Sequence, residues 1–192
     1  ETPEVGAPLY GNLINTICRG ARLKKFYLRS AATGVGKTRM MIADSANLAC
    51  DEIYDIYEQK WNKNGTCEST LFITTELEID EIQTMVLAFL SGVPEHNILN
   101  GEYMNDEEDR IRHAITLVEK SALWIEHIPD FSLRDIESII RRNVRDNGVK
   151  YVFFDYIHTS LKILEEITQR TSGIRSEEHT SELQSRQYLV CR

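Results

Sequence analysis

Residues 31–38 read AATGVGKT, and no other stretch constrains the chain as tightly. A phosphate-binding loop asks for GxxxxGK[ST], because backbone N–H groups must curl around phosphate oxygens, a lysine must reach the β and γ oxygens, and a hydroxyl must ligand Mg2+. Gly34, Gly36, Lys37 and Thr38 meet that demand, while Ala31 stands where the first glycine is usual. The whole run, Ala31, Ala32, Thr33, Gly34, Val35, Gly36, Lys37 and Thr38, is therefore expected to cradle a nucleotide. Such a loop must leave a strand and open a helix, whose N-terminus adds partial positive charge. Both neighbours are present in the sequence. Lys24 to Ser30 (KKFYLRS) has strand character, and Ile42, Ala46, Ala49, Ile53 and Ile56 recur every three or four residues, which predicts one long amphipathic helix from Lys37.

The remainder alternates in the same way. Leu9, Leu13, Ile14 and Ile17 predict a short helix ended by Gly20, and Asn62 to Glu68, centred on Asn64-Gly65, predicts a polar turn. Thr70 to Thr75 (TLFITT) reads as a strand buried on both faces. Ile79, Ile82, Met85, Val86, Phe89 and Leu90 predict the next helix, closed by Gly92 and Pro94, and another is expected around Ile111 to Val118 behind the acidic Asp106 to Asp109. Leu123 to Ile128 is a further strand. Ser132 is placed to N-cap a helix carrying Leu133, Ile136, Ile139, Ile140 and Val144, with Asn147-Gly148 as its stop. Lys150 to Phe154 is a last strand, ending at Asp155. Strands alternating with helices predict an α/β fold with a mostly parallel sheet flanked by helices on both faces. Residues 1–174 form the expected domain. Arg175 to Ser185 (RSEEHTSELQS) follows neither hydrophobic period and looks like translated adapter sequence, so 175–192 is expected to be a non-native tail.

Composition excludes several classes. The chain has 192 residues, 42% hydrophobic and 27% charged, which suits one globular domain rather than a disordered or fibrous chain. It has no apolar run long enough for a membrane span and no leader pattern at Glu1 to Pro8, so a cytoplasmic protein without membrane contact is expected. Its four cysteines, Cys18, Cys50, Cys67 and Cys191, form no CxxC pair and read as reduced thiols. The net charge of -8 speaks weakly against direct nucleic-acid contact by this segment, because such affinity comes largely from Lys and Arg neutralising phosphates.

Two carboxylates stand at strand ends. Asp155 closes YVFFD, where a Mg2+-ordering carboxylate would sit, and parallel sheets bind ligands at the carboxyl ends of their strands. Glu76 follows TLFITT and could polarise an attacking water, or merely cap the helix starting near Ile79. The residues alone leave that choice open.

The set AATGVGKT, TTEL, HIPDFSL and FFDYIH resembles the DnaB-type replicative helicases over roughly Gly6 to Gly173. That family carries an alanine-led P-loop and a RecA-like P-loop ATPase core. The resemblance implies that Lys37 and Thr38 bind the phosphates of ATP and Mg2+, that Glu76 activates water, and that Asp155 orders the metal. His158 takes the place of a glutamine that senses the γ-phosphate; imidazole can still donate a hydrogen bond, but its protonation matters near neutral pH. The resemblance also implies a homo-hexameric ring that translocates on single-stranded DNA at a replication fork, with a primase and a helicase loader as further partners, while the DNA-gripping loops and arginine finger lie beyond this sequence. Rival readings are a RecA- or RadA-type recombination ATPase, a small-molecule phosphotransferase, and a nucleotide-gated loader without turnover.

Overall fold

A computed structural model describes residues 5–32 and 34–156 together with the backbone of a strand at 186–191. The elements run α1 (Asn12–Cys18), β1 (Phe26–Ser30), α2 (Lys37–Ala49), β2 (Glu52–Asp55), β3 (Lys60–Lys63), β4 (Thr70–Thr74), α3 (Ile79–Ser91), α4 (Glu95–Asn100), α5 (Glu107–Lys120), β5 (Leu123–His127), α6 (Leu133–Asn147), β6 (Tyr151–Asp155) and β7 (Arg186–Cys191). A five-stranded sheet has the order β1-β7-β6-β4-β5. β4 pairs in parallel with both β5 and β6, and β7 runs antiparallel to both β6 and β1. Two reversals restore direction, so β1, β4, β5 and β6 all point the same way. The sheet is mostly parallel, as expected.

Pleating sorts the core. On β4, Phe72 faces one side while Leu71 and Ile73 face the other; on β6, Tyr151 and Phe153 oppose Val152 and Phe154. The first side packs against Met41, Ile42 and Ala46 of α2, Ile82, Val86 and Leu90 of α3, and Ala114 of α5. The second takes Phe131 and the stripe Ile136, Ile139, Ile140 and Val144 of α6. Both strands are buried throughout, which is why they read as unbroken apolar runs. α6 starts where Ser132 was expected to cap it, through a capping box in which Asp135 N–H donates to Ser132 Oγ and Ser132 N–H donates to Asp135 Oδ2.

The long helix expected from Lys37 to Ile56 is shorter. α2 stops at Ala49, and Ile53 and Ile56 belong to an antiparallel hairpin of β2 and β3 and its turn. Spacing of Ile53 and Ile56 by three fits a helix, yet the run EIYDIY is β-branched and aromatic. Asp55 Oδ1 then accepts from the amides of Tyr57 and Glu58, a local turn that competes with helix. Trp61 of the hairpin lies 4.3 Å from the His113 ring and Arg110 sits 4.5 Å over the Tyr54 ring, fastening the hairpin to α5. The polar turn is correspondingly shorter, since Asn62 and Lys63 are in β3, and the short α4 was not foreseen.

The expected boundary near residue 174 lies outside the described residues. β7 lies within the tail set apart on composition, but strand pairing is made by backbone amides that any sequence supplies, so the pairing says nothing of the segment's origin. Of the cysteines whose side chains are described, Cys18, Cys50 and Cys67 are free thiols.

β1 and α2, the elements either side of the P-loop, are braced by an ion pair between Arg29 Nη2 and Asp44 Oδ2 at 2.7 Å, and Tyr10 N–H also donates to Asp44 Oδ1. Asp44 is 1% exposed. Burial pushes its carboxyl up to about 6 even though the Arg29 guanidinium and the Tyr10 amide pull it down, so desolvation outweighs the ion pair. Because the folded value lies above the ordinary 3.8, the stability Asp44 contributes is full below that value and is lost as pH rises through about 6. In urea titrations, the unfolding free energy of the parent relative to Asp44→Asn is expected to fall between pH 4 and pH 7. A difference that stays constant would mean the buried carboxyl titrates normally.

Candidate nucleotide site

β1 delivers the chain to the loop, and α2 leaves it from Gly36, whose φ of 84° lies in the left-handed region. Gly34 repeats this with φ 82°. A Cβ at either position would meet nothing within 4 Å, so glycine is required here by backbone conformation rather than by lack of room. Gly36, the N-cap of α2, has no side chain to cap the helix, and Met40 N–H closes back on Gly36 C=O at 3.0 Å. The start of this helix adjoins the loop, and the amides of a helix N-terminus suit an anion.

The facing wall comes from β4 and β6. Their parallel register sets Thr74 opposite Asp155, so the chain beyond β4 emerges beside the end of β6. Thr75 locks the two ends together: its N–H donates to Asp155 C=O at 2.9 Å, its hydroxyl lies 3.1 Å from Tyr156 C=O, and the Tyr156 amide lies 3.3 Å from that hydroxyl. The Thr74 hydroxyl donates to Leu77 C=O at 2.9 Å and accepts from Leu77 N–H at 3.1 Å, which closes the turn that presents Glu76. α3 is capped by Glu78 in a box with Glu81, so capping does not account for Glu76. His127, at the end of β5, lies 3.1 Å from Glu78 and ties that edge to α3.

A cavity of about 350 Å3 opens between these walls. It is lined by Gly34, Gly36, Lys37 and Thr38 from the loop and helix start, and by Glu76 and Asp155 from the strand ends. Asp155 is buried and Glu76 is exposed. Burial, followed by the charges of Glu76 and Asp155, raises the Tyr156 phenol above its ordinary value, which marks all three as neighbours. Of the remaining expected residues, Ala31, Ala32 and Val35 belong to the loop but do not line the cavity, and Thr33 and His158 lie outside the described residues. Arg39, Leu77, Met85 and Tyr156 line it without having been singled out in the sequence. Arg39, Leu77 and Tyr156 each adjoin a recognised residue, which was the available signal; Met85 reads as an ordinary apolar position of α3.

Among the described residues no three His, Cys, Asp or Glu side chains gather as a metal cage. The oxygen-bearing side chains that line the cavity and could hold a cation are those of Thr38, Glu76 and Asp155.

The sequence pattern of the DnaB-like helicase C-terminal domain family matches residues 10–185. The chain belongs to that family. It is 42% identical over 178 residues to the SPbeta prophage-derived uncharacterized protein YorI of Bacillus subtilis (strain 168), covering 93% of this chain and 35% of that protein. A solved DnaB-like replicative helicase, described with its interactions with primase, superposes with a TM-score of 0.64 at 15% identity over 88% of this chain and 40% of that one. A second solved ATPase domain gives 0.63 at 15% identity, covering 88% of this chain and 57% of that one. These similarities establish the RecA-like fold of a helicase ATPase domain, and the chain spans about a third of the length of the curated relative it matches.

The backbone of the loop yields a direct check. Gly36→Ala is expected to lower stability by about 1–2 kcal/mol in urea unfolding, the cost of a Cβ in left-handed backbone, with Gly36→Asn recovering part of the loss. Equal stabilities for glycine and alanine would show that the loop does not need this conformation.

Proposed function

We propose that this domain is the ATP-hydrolysing core of a replicative DNA helicase, coupling hydrolysis to translocation on single-stranded DNA and unwinding of the fork. The observation that carries the reading is the single cavity onto which a P-loop and two strand-end carboxylates converge. Lys37 and the amides from Gly34 to Thr38 bind the triphosphate, and Thr38 and Asp155 would hold Mg2+, which would supply positive charge against the phosphates. Glu76 accepts a proton from the water that attacks the γ-phosphorus, as the bond to the β–γ bridging oxygen breaks and ADP leaves. His158, two residues beyond Tyr156, senses the γ-phosphate and relays its loss. Family resemblance supports a homo-hexamer whose neighbouring subunit supplies an arginine to the developing charge, and a primase and a loader as partners. A cytoplasmic setting goes with the replicative-helicase reading, and among the described residues no helix is long and apolar enough to cross a membrane.

The loader reading differs in what Glu76 does, whereas the recombinase reading shares that carboxylate and differs in what is done to the DNA. In a Mg-ATP hydrolysis assay, Glu76→Gln should lower turnover about 100-fold or more while nucleotide affinity stays within about threefold. Lys37→Ala should weaken binding at least about tenfold, since a charge-assisted contact to phosphate is lost. Undiminished turnover in Glu76→Gln removes that carboxylate from the chemistry, whereas binding of Mg-ATP by the parent with no turnover favours a domain that binds nucleotide without consuming it.

A further inference from the structure

A cleft of about 600 Å3 that shares no lining residue with the nucleotide cavity runs between the β2–β3 hairpin, the end of α3 and the start of α5. The described residues that line it fall in two segments, 52–63 and 92–110. These hold nine acidic residues against three basic ones, and so account for most of the chain's net charge of -8. Arg39 and Arg112 reach in from outside to pair with Glu95 and Glu108, and carboxylates still remain in excess. The same two segments expose large apolar side chains. Ile56 lines the cleft and is 52% exposed; Tyr57, next to it in the chain, is 92% exposed, and Met104, next to the lining residue Asn105, is 67% exposed. A single exposed apolar side chain is ordinary, whereas several gathered at one cleft mark a surface that can be covered.

The walls of this cleft are held in place by their own contacts. Asp55 Oδ1 accepts from the Tyr57 and Glu58 amides at 2.8 and 3.0 Å, His113 Nε2 lies 2.9 Å from Glu52, and Arg110 sits over the Tyr54 ring. Tyr57 is thus presented to solvent from a fixed hairpin. On the opposite wall Glu107 Oε2 accepts from Met104 N–H and from Asn97 Nδ2, both at 3.0 Å. A surface already fixed in this way has little ordering left to lose when a partner covers it. Charge then decides which partner. Nucleic acid and anionic lipid both bind through lysine and arginine, and the excess of carboxylates here repels them. A basic protein segment is attracted to the same groups, and apolar side chains on it would pack on Ile56, Tyr57 and Met104.

We propose that the acidic cleft between the β2–β3 hairpin and the start of α5 docks a basic segment of a partner protein, with Ile56, Tyr57 and Met104 as its apolar anchors. The proposal is independent of the nucleotide site. Its probe is a fluorescent amphipathic peptide of lysine and leucine, titrated with the full chain and followed by anisotropy, beside a twin with glutamate for lysine and a single-stranded oligothymidine. The lysine peptide should bind and the other two should not. Tyr57→Ser combined with Met104→Ser, which leaves the charge unchanged, is expected to weaken the peptide about tenfold or more. Glu58→Lys combined with Glu102→Lys should weaken it about 3- to 10-fold. The same charge change made with Glu137→Lys and Asp146→Lys on α6, across the sheet from the hairpin, should stay within about twofold. Equal weakening by the two charge reversals would reduce the effect to net charge and overturn the proposal. So would full binding in the Tyr57 and Met104 variant, or oligothymidine binding that this variant loses. Self-association of the parent in sedimentation that the variant abolishes would assign the face to a second copy of the chain and equally overturn it.

Discussion

Parallel pairing of β4 with β6, in the register that faces Thr74 with Asp155, is the interaction on which the site depends. In a parallel pair both strands end at the same edge, so whatever each carries past its last hydrogen bond is delivered to the same place. β1 points the same way and brings the P-loop to that edge as well. A one-residue slip would turn Asp155 to the other face of the sheet and place Tyr156 where the carboxylate stands. The register is held by burial on both faces, with Phe72 and Phe153 stacked 6.3 Å apart on one side and Phe131 meeting Phe154 edge-on at 5.4 Å on the other.

Most of this was legible in the sequence because its signals are local. TLFITT and YVFFD announce strands with no solvent face, Ser132 and Asp135 form a cap from residues three apart, and the P-loop encodes its own backbone through Gly34 and Gly36. The hairpin of β2 and β3 was not legible, since Ile53 and Ile56 obey helical spacing and only the Asp55 turn and contacts with Tyr54 and Trp61 decide against it. Arg39 is a similar case. Its neighbour Thr38 is found by motif, but its fork onto Glu95 joins residues 56 positions apart, and no sequence period reports such a contact.

Charge is distributed in keeping with the fold rather than with the net value. The overall -8 includes acidic first turns such as Glu107 to Asp109 that favour their helices, and pairs such as Arg112 with Glu108 lie in solvent. Lys37 and Arg39 nonetheless line the site opposite Glu76 and Asp155. An anionic ligand meets a local field set by these few groups and the start of α2, because charges farther off than a Debye length, about 8–10 Å, are screened.

Thr75 gives the site a mechanical property. Its backbone and hydroxyl grip the main chain at Asp155 and Tyr156, while the next residue along is Glu76. The polypeptide on either side of this knot cannot shift alone without breaking buried hydrogen bonds. Any displacement imposed at one strand tip is therefore handed to its neighbour, so that Tyr156 and the turn following β4 advance or retreat in step.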